Sequence, residues 1–572
     1  MMVFRTVKYS KVKFMYWRDN ILILLMGIIL ALIMAIVPLV CAARKMPSET
    51  VKSGGVLAKY FYYSADLGDG KNIAKLEEVW QRALKAGYAK VVLADGKFDT
   101  MDLQSPEYFQ NVLRVKKIAQ QLNFEVIPAI FSIGYSALLL AHNPNLAEAV
   151  PVRNVPYVVR NGVANIDSAD QPSLANGNFR SLEGWINISN VLLDHGTVKV
   201  MPVAPESRLS QAIKVKPFRQ YHLTLRIRTE NFRGITHVAL MSGWWWRRSL
   251  NANEPVVQSN QDWTSYEIVF NSLDYDTVLL ALVVDGTGRK GFLWFKDVKV
   301  EEIGFLNITR RDNTPIIVQN ERGQVLEEGK DFKPVNDPKS MSGWWEKPYH
   351  VPPILETSLP EGTRLRVSYY HSLAVRPGEV MICPSEKKTR ELLKRVFEKV
   401  HEVWGAKSYF MQHDEIRVLG WDPACVGSGK TTGQILADNL KACTRIIKTE
   451  CPDCQIYVWS DMFDPFHNAV RKNYYLVKDG LPGSWEGLDK NVIVANWNSG
   501  HAADSLRFFQ KKGNKQIIAG YYDKLPGEFP LWCDQLNKDS RNVVGIMYTT
   551  WQKKYDDLSN FSSEIHDHVV GN

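Results

Sequence analysis

Ser408-Tyr-Phe-Met-Gln-His-Asp-Glu415 is a short apolar run that ends in an imidazole and two carboxylates. Elsewhere in the chain, apolar runs of strand length alternate with amphipathic helical patterns, which predicts parallel strands joined by helices. Parallel strands that close a barrel present acid–base groups at their carboxyl ends. The stretch therefore predicts a barrel strand that delivers Asp414 and Glu415 to a site.

Four later segments end in a similar way, with aromatic and polar side chains after an apolar run. They are Tyr457-Val-Trp-Ser-Asp461, Val494-Ala-Asn-Trp497, Gly520-Tyr-Tyr-Asp523 and Met547-Tyr-Thr-Thr-Trp551. Trp rings stack on the apolar face of a pyranose, and a few polar groups then fix its orientation. We expect a sugar pocket whose substrate-binding residues are His413, Trp459, Asp461, Trp497, Tyr521, Tyr522, Asp523 and Trp551.

The count of predicted strands indicates a (β/α)8 TIM barrel. Three strands fall between residues 56 and 131, and five more lie near residues 408, 456, 492, 517 and 543. Eight parallel strands are what this barrel requires. Residues 54–171 would be its first part and residues 373–572 its second. Arg364 to Tyr370 is a ninth candidate, so the strand numbering is open by one.

Residues 172–304 have a different pattern, with short alternating strands between polar turns, which is typical of a β-sandwich. The segment opens with Asn176-Gly-Asn-Phe179 and closes with Trp294-Phe-Lys-Asp-Val-Lys-Val300. These stretches resemble the ends of jelly-roll carbohydrate-binding modules. The resemblance implies a sugar-binding jelly roll inserted into the barrel, and residues 305–372 are predicted to be a β-rich connecting segment.

Ile21 to Ala43 contains no charged residue. At about 1.5 Å per residue, this run is long enough to cross a hydrocarbon layer of about 30 Å. Basic residues precede it, so residues 1–20 are expected in the cytoplasm and the rest of the chain on the periplasmic or extracellular face. We expect an N-terminal transmembrane helix over residues 21–43 that anchors the protein, with a cleaved export signal as the alternative.

The charge distribution argues against a nucleic-acid partner. Residues 1–45 hold seven Lys or Arg and one Asp, which is +6 of the total net charge of +9. The remaining +3 is spread over the rest of the chain and does not form the basic patch of a nucleic-acid-binding protein. No P-loop, nucleophile elbow or H-E-x-x-H motif is present, and no cofactor or metal is expected.

The cysteines leave one local question open. Cys451-Pro-Asp-Cys454 follows a predicted helix and precedes a predicted strand. A C-x-x-C pair can bind zinc, but no second pair and no paired His stand at ligand spacing. A structural turn, with closure by a disulfide as an option, is the favoured interpretation.

The Asp414-Glu415 pair resembles the end of the fourth barrel strand in the β-hexosaminidase family of glycoside hydrolases. In that family, the Glu is the acid/base and the Asp orients the substrate's acetamido group, which acts as the nucleophile. The resemblance implies Glu415 as general acid and Asp414 as its partner, with Trp459, Trp497 and Trp551 around the acetamido group. Asp461 is the alternative nucleophile or base if substrate assistance does not apply.

The sequence thus predicts a membrane-anchored, extracytoplasmic glycoside hydrolase that works by general acid catalysis, with substrate assistance on N-acetylhexosaminides as one mechanism. Its partners would be an oligosaccharide, polysaccharide or glycoconjugate, and the membrane through the N-terminal helix. The alternative is a non-catalytic carbohydrate-binding or cell-envelope scaffold protein built on a degenerate hydrolase barrel.

Overall fold

The computed structural model describes residues 57–167, 171–203, 206–242, 248–285, 290–341, 347, 349–471, 474–538 and 541–570. These residues belong to one compact unit, Leu57–Asn572.

Eight parallel strands close a barrel at the centre of this unit. In order around the barrel they are β1 Ala58–Ser64, β2 Lys90–Ala94, β3 Glu125–Ile130, β4 Ser408–Met411, β5 Gln455–Trp459, β6 Val492–Asn496, β7 Gln516–Tyr522 and β8 Val543–Thr549. Closure comes from the pairing of β1 with β8, where Ala58 lies opposite Gly545. Because the strands run in one direction, their carboxyl ends meet at a single rim.

The barrel interior is lined by alternate residues of each strand, since successive side chains point to opposite faces. On β1, Tyr60 and Tyr62 point inward, whereas Phe61 and Tyr63 pack outside the barrel. Phe410 on β4 and Trp459 on β5 join the inner cluster. The interior is therefore rich in aromatic rings close to the carboxyl rim.

Helices surround the barrel, and local sequence signals set several of their ends. The α-helices are α1 Gly70–Lys85, α2 Pro106–Gln121, α3 Lys387–Trp404, α4 Pro423–Gly427, α5 Thr432–Glu450, α6 Ala502–Lys512, α7 Phe529–Leu536 and α8 Leu558–Ile565. Asp69 caps α1 by accepting the Lys71 amide, and Thr431 forms a reciprocal capping box with Gln434 at the start of α5. Gly405, at φ 55°, ends α3 in the left-handed conformation that glycine tolerates.

Short helical turns are found mainly in the connections. The 3-10 helices span Gly96–Leu103, Leu139–Ala141, Pro144–Leu146, Pro338–Met341, Asp461–Phe463, Ser484–Gly487 and Ser499–His501, and a π-helix spans His566–Val570.

The connection from β3 to β4 builds three antiparallel sheets. The first sheet holds, in order, Gln261–Asn271, Gln220–Arg233, Lys290–Ile303, Thr197–Val200 and Val191–Asp194. The second holds Arg248–Asn253, Thr236–Ser242, Thr277–Asp285, Glu206–Lys214 and Ile186–Ser189. The third holds Val325–Leu326, Ile317–Asn320, Arg364–Ser372, Ala149–Arg160, Val163–Ile166 and Leu355–Glu356. A separate parallel pair joins Val418–Leu419 to Leu476–Val477.

The predicted (β/α)8 TIM barrel with one inserted jelly-roll sandwich is wrong as an architecture. The barrel is closed by eight parallel strands, but strands and helices do not alternate regularly around it. In the part of the β5–β6 connection that the structure describes, the helical elements are the 3-10 turns Asp461–Phe463 and Ser484–Gly487 rather than an α-helix. The ninth candidate, Arg364–Ser372, belongs to the six-stranded sheet of the β3–β4 connection.

The N-terminal transmembrane helix stays a prediction from the sequence. Residues 21–43 lie outside the described residues, and within the described ranges no helix is both long enough and apolar enough to cross a membrane.

Candidate active site

A cavity of about 440 Å³ opens at the carboxyl rim of the barrel. Residues from β1, β4, β5, β6, β7 and β8 or from their following loops form its wall, so segments far apart in sequence converge on one space. Six of the residues predicted from strand ends are among those that line it, namely Asp414, Glu415, Trp459, Trp497, Tyr522 and Trp551.

Aromatic rings form one side of this cavity. The ring centroids of Tyr62 and Trp551 are 5.3 Å apart, and those of Trp459 and Trp551 are 6.0 Å apart. Phe410 supports Trp459 from inside the barrel at 4.8 Å. Trp551 remains 46% exposed, so its ring is available to a ligand. Such a wall suits the apolar face of a sugar ring.

Trp497 adds a hydrogen-bond donor to the wall. Its ring packs edge-on against His467 at 4.5 Å. Its indole nitrogen is buried and has no hydrogen-bond partner among the described residues. A buried donor without a partner costs free energy, so this N–H is suited to an acceptor on a bound ligand.

The Asp414-Glu415 turn is held in place by its backbone. β4 ends at Met411, and Glu415 takes a left-handed backbone conformation with φ 48°. Its amide donates to Oδ2 of Asp461 over 3.0 Å. Gly134 lies against the turn, and a side-chain carbon there would overlap the backbone oxygen of Asp414. A strained turn clamped on two sides brings two consecutive carboxyl groups to the same cavity.

The Glu415 carboxylate is bound to a cation and a hydroxyl group. Its Oε2 lies 2.9 Å from Nη2 of Arg417 and accepts a hydrogen bond from the Tyr135 hydroxyl. Arg417 is itself nearly buried and contacts Glu379 over 3.0 Å. Arg417 and Tyr135 therefore hold the Glu415 carboxylate in a defined position.

The surroundings of the Asp414 carboxyl group differ from those of Glu415. Its Oδ1 is buried and has no hydrogen-bond partner among the described residues, although the side chain lines the cavity. Burial, with further contributions from the negative charges of Asp461 and Glu415, raises the pKa of Asp414 to about 8. Asp414 therefore holds a proton at neutral pH.

We expect the Asp414→Asn substitution to reduce the pH dependence of stability. The pKa of Asp414 is about 8 in the folded protein against 3.8 for an unperturbed Asp, so unfolding between these pH values releases a proton. The stability that Asp414 contributes is complete below pH 3.8 and is lost as the pH rises towards about 8. Melting temperatures measured at intervals from about pH 4 to about pH 9 should therefore shift in favour of the variant as the pH rises. Parallel curves for the two proteins would contradict a buried, protonated Asp414.

Two of the predicted residues lie behind the turn rather than in the cavity wall. His413 is fully buried, and its Nε2 lies 3.0 Å from Oδ1 of Asn439 on α5. Burial lowers the pKa of His413 to about 4, so the ring is neutral and packs as a core residue. Asp461 is fully buried, and its Oδ2 accepts hydrogen bonds from the Glu415 amide and from the Asn468 side chain.

The other two predicted residues that do not line the cavity are Tyr521 and Asp523, at and just after the end of β7. Tyr521 faces away from the cavity, stacks on Tyr548 with ring centroids 4.0 Å apart, and donates to Asp557 over 2.8 Å. Tyr522, the next residue, faces the cavity together with Ala519, because an irregularity in the pairing of β7 with β8 between Ala519 and Tyr521 interrupts the alternation of the strand. Asp523 accepts the backbone amides of Trp551 and Gln552 over 3.2 Å and 3.1 Å. It therefore positions Trp551 rather than lining the cavity itself.

Four further residues of the site did not follow from the sequence. Tyr62 and Gln412 line the cavity, and the Tyr62 hydroxyl lies 3.4 Å from Oε1 of Gln412. Tyr135 and Arg417 hold Glu415. Tyr62 belongs to the aromatic run Tyr60-Phe-Tyr-Tyr63 near the end of β1, and Gln412 immediately precedes His413, so a strand-end rule applied to every strand would have found both. Tyr135 and Arg417 are in loops without a recognisable pattern.

Within the described ranges, Glu148, Cys383 and Cys425 bring a carboxylate and two thiols within 4.8 Å of one another, close enough to hold a metal ion. None of the three lines the cavity. Oε1 of Glu148 already accepts the Gly420 amide over 2.8 Å, and Oε2 accepts the Cys425 thiol over 3.3 Å. These bonds give the group a structural role in joining distant loops.

The predicted structural turn at Cys451-Pro-Asp-Cys454 is closed by a disulfide. It lies between the end of α5 and the start of β5. Cys383, Cys425, Cys443 and Cys533 are free thiols, all buried.

Comparison with known proteins finds no matching protein-family model and no matching curated protein. The solved structures that the chain resembles include a GH20 chitobiase from Flavobacterium johnsoniae, at 18% identity over 33% of this chain and 30% of the other, with a TM-score of 0.23. A rhamnosidase from Novosphingobium sp. PP1Y matches at 11% identity over 86% of this chain and 55% of the other, with a TM-score of 0.31. A structure titled "CBM4 structure and function" matches at 15% identity over 23% of this chain and 100% of the other, with a TM-score of 0.19. At these scores the resemblances leave the function to be inferred from the cavity.

Proposed function

We propose that this protein hydrolyses glycosidic bonds in an oligosaccharide, polysaccharide or glycoconjugate. The observation that supports this most directly is one cavity that combines two carboxyl groups of unlike environment with six aromatic side chains from separate strand ends or the loops after them. A concave site with titratable groups of perturbed pKa is where catalysis is expected. The aromatic wall indicates a sugar as the ligand.

Glycoside hydrolysis needs a proton for the leaving oxygen and a negative charge near the oxocarbenium-like centre. Desolvation raises the pKa of Asp414, which favours its protonated form at neutral pH, and the Glu415 carboxylate is paired with the Arg417 guanidinium. Two carboxyl groups with such different environments are the usual basis for assigning the acid and its charged partner. We therefore assign the proton donor to Asp414 and the stabilising carboxylate to Glu415.

This assignment reverses the roles that the family resemblance implies for the same two residues. The resemblance makes Glu415 the acid because of its position after Asp414, whereas the raised pKa of Asp414 supports Asp414 as the proton donor. The two assignments predict different responses to the quality of the leaving group, since only loss of the proton donor is compensated by a good leaving group.

The set of carboxylates supports a sugar with a 2-acetamido group. Among the described residues that line this cavity, the carboxyl groups are those of the adjacent pair Asp414 and Glu415. Asp461 and Asp523 do not line the cavity, and Oδ2 of each accepts a backbone amide. The common two-carboxylate mechanism places its acid and its nucleophile or base on opposite sides of the bond, whereas substrate assistance draws the nucleophile from the sugar itself. An N-acetylhexosaminide would supply the nucleophile from its own 2-acetamido group.

A panel of aryl glycosides with and without a 2-acetamido group tests the proposal. We expect turnover of at least one glycoside by the full chain, with higher kcat/KM for the 2-acetamido sugar. The control is the protein with both Asp414→Asn and Glu415→Gln, which should be inactive if the turnover belongs to this site. Saccharide binding without turnover across the panel would contradict the proposal and support the non-catalytic alternative. Export and membrane attachment stay predictions from the sequence.

Removal of the exposed aromatic ring should weaken substrate binding. Trp551→Ala deletes a ring that is 46% exposed in the cavity wall. An aromatic contact contributes about 0.5–1.5 kcal/mol beyond its buried area, so we expect KM to rise by about 3- to 10-fold. Trp551→Phe should recover part of this loss. Trp263→Ala, in the first sheet of the β3–β4 connection, is the control and should leave KM unchanged. An unaltered KM in Trp551→Ala would contradict stacking on this ring.

A further inference from the structure

A second cavity of about 600 Å³ adjoins the first at the same rim. The two cavities share Tyr62, Tyr135 and Gln412 as a common wall. The second cavity is formed by residues at the ends of β1 and β2, by Ser132 just after β3, and by the loop that follows it. It therefore extends the rim beyond the aromatic cavity, on the side of the first three strands.

Asp99 makes the second cavity suited to a ligand that donates a hydrogen bond. It lies on the 3-10 helix Gly96–Leu103 directly after β2 and lines the cavity while being only 3% exposed. Its Oδ1 has no hydrogen-bond partner among the described residues. Leaving a buried carboxyl oxygen unpaired costs free energy, so a hydrogen-bond donor on a bound molecule would relieve that cost.

The other residues that line the second cavity limit the chemical class of ligand that it can bind. None of the described residues that line the second cavity is a Lys, Arg or His. Hydroxyl and amide groups are present, including those of Ser64, Ser132 and Gln412. A sugar bearing a carboxylate, phosphate or sulfate would meet no counter-charge and would face Asp99. A neutral sugar with several hydroxyl groups fits this lining.

The common wall relates the second cavity to the reactive groups. Tyr135 lines both cavities and donates its hydroxyl to Glu415. Gln412 also lines both, and its Nε2 donates to the hydroxyl of Ser132 over 3.1 Å. Glu415 therefore lies beside the passage from one cavity to the other. A bond positioned near this carboxylate would have one sugar in each cavity.

We propose that the second cavity is a binding subsite for a neutral sugar, so that the substrate is an oligosaccharide of at least two residues spanning both cavities. In this arrangement Asp99 accepts a hydrogen bond from a hydroxyl group of the sugar on the far side of the cleaved bond. This inference rests on the proposed glycoside hydrolase function and specifies its substrate class.

The test compares short and long substrates in Asp99 variants of the full chain. The short probes are the p-nitrophenyl β-glycosides of glucose and of N-acetylglucosamine, and the long probes are cellotriose and triacetylchitotriose. Burial raises the pKa of Asp99 to about 7, so the carboxyl group is partly neutral at neutral pH. A hydrogen bond that is not charge-assisted contributes about 1 kcal/mol, so Asp99→Ala should lower kcat/KM on the trisaccharide by about 5-fold. The aryl glycoside fills only the first cavity with its sugar and should change by no more than about twofold. Asp99→Asn keeps an acceptor oxygen and should be intermediate.

Asp102→Asn is the matched control. It lies on the same 3-10 helix, contacts His142 over 2.8 Å and does not line the second cavity, so both substrates should be unaffected. An equal loss on short and long substrates in Asp99→Ala would show a structural role and overturn the subsite, as would an undiminished rate on the trisaccharide. Calorimetric titration of the trisaccharides into the same variants separates the two proposals. Binding that depends on Asp99 but is not followed by turnover would support the subsite and refute hydrolysis. Turnover that is unchanged in the Asp99 variants would support hydrolysis and refute the subsite.

Discussion

Asp414→Asn is expected to lower kcat/KM by about 10²- to 10⁴-fold on a glycoside with a poor leaving group, which is the usual contribution of a general acid. The substitution keeps the shape of a side chain that lines the cavity but removes the proton that its buried position retains. The measurement is steady-state kinetics on a series of aryl glycosides whose phenols differ in acidity. Because an acidic phenol leaves without protonation, the loss should shrink to less than about 10-fold on a dinitrophenyl glycoside.

Glu415→Gln provides the comparison that identifies the acid. If Glu415 supplies the negative charge, its variant should lose activity by a similar factor on every member of the series, since all pass through a cationic transition state. Asp556→Asn, at a side chain that is 90% exposed beside Arg82, should match the unmodified protein. A steep leaving-group dependence in Glu415→Gln together with a flat one in Asp414→Asn would refute our assignment and support the one implied by the β-hexosaminidase resemblance. Full activity in both variants would refute the site.

Gly134→Ala should have an effect of similar size without touching either carboxyl group. An added methyl group at Gly134 would overlap the backbone oxygen of Asp414, so the Asp414-Glu415 turn must move. A displacement of about 1 Å costs on the order of 100-fold in rate, because reacting groups have to stay aligned. The added atom also overpacks a buried contact, so we expect the free energy of unfolding to fall by about 1–3 kcal/mol. Activity and thermal unfolding of the same preparation measure both effects.

Gly427→Ala is the control for this experiment. Gly427 lies on α4, and a side-chain carbon there would meet nothing within 4 Å. Both activity and stability should stay close to those of the unmodified protein. Normal turnover by a folded Gly134→Ala protein would mean that the position of the turn does not control the reaction.

The residues at the strand ends show which features of the site can be predicted from sequence patterns. Apolar runs bounded by polar residues were enough to predict β4, β5, β6, β7 and β8 and to single out the side chains that follow them. Alternation along β7 from Ala519, which lines the cavity, would place Tyr521 there too, yet Tyr522 faces the cavity because the pairing with β8 is irregular between Ala519 and Tyr521. The pattern alone therefore does not say which of two neighbouring residues points inward. That choice depends on the pairing of β7 with β6 and β8.

Other parts of the structure have no local signal. The regular alternation predicted for the barrel is interrupted between β5 and β6, where Asp461–Phe463 and Ser484–Gly487 take the place of a helix. Asp99 lies in a short helical turn, and its importance arises only because the turn packs beside the rim next to Ser132. Tyr135 and Arg417 likewise meet Glu415 through the folding of two loops.

The sequence by itself determined where strands end and which carboxyl, amide and aromatic groups stand at those ends, because these are properties of residue type and of a repeat of two. Only the tertiary structure decided which of these groups share a cavity and which of them hold a proton. Asp414 and Glu415 are neighbours in sequence, yet one is affected by the negative charge of Asp461 and the other is paired with Arg417. The free energy of a charge depends on its surroundings in space, and those surroundings come from residues far away in the chain.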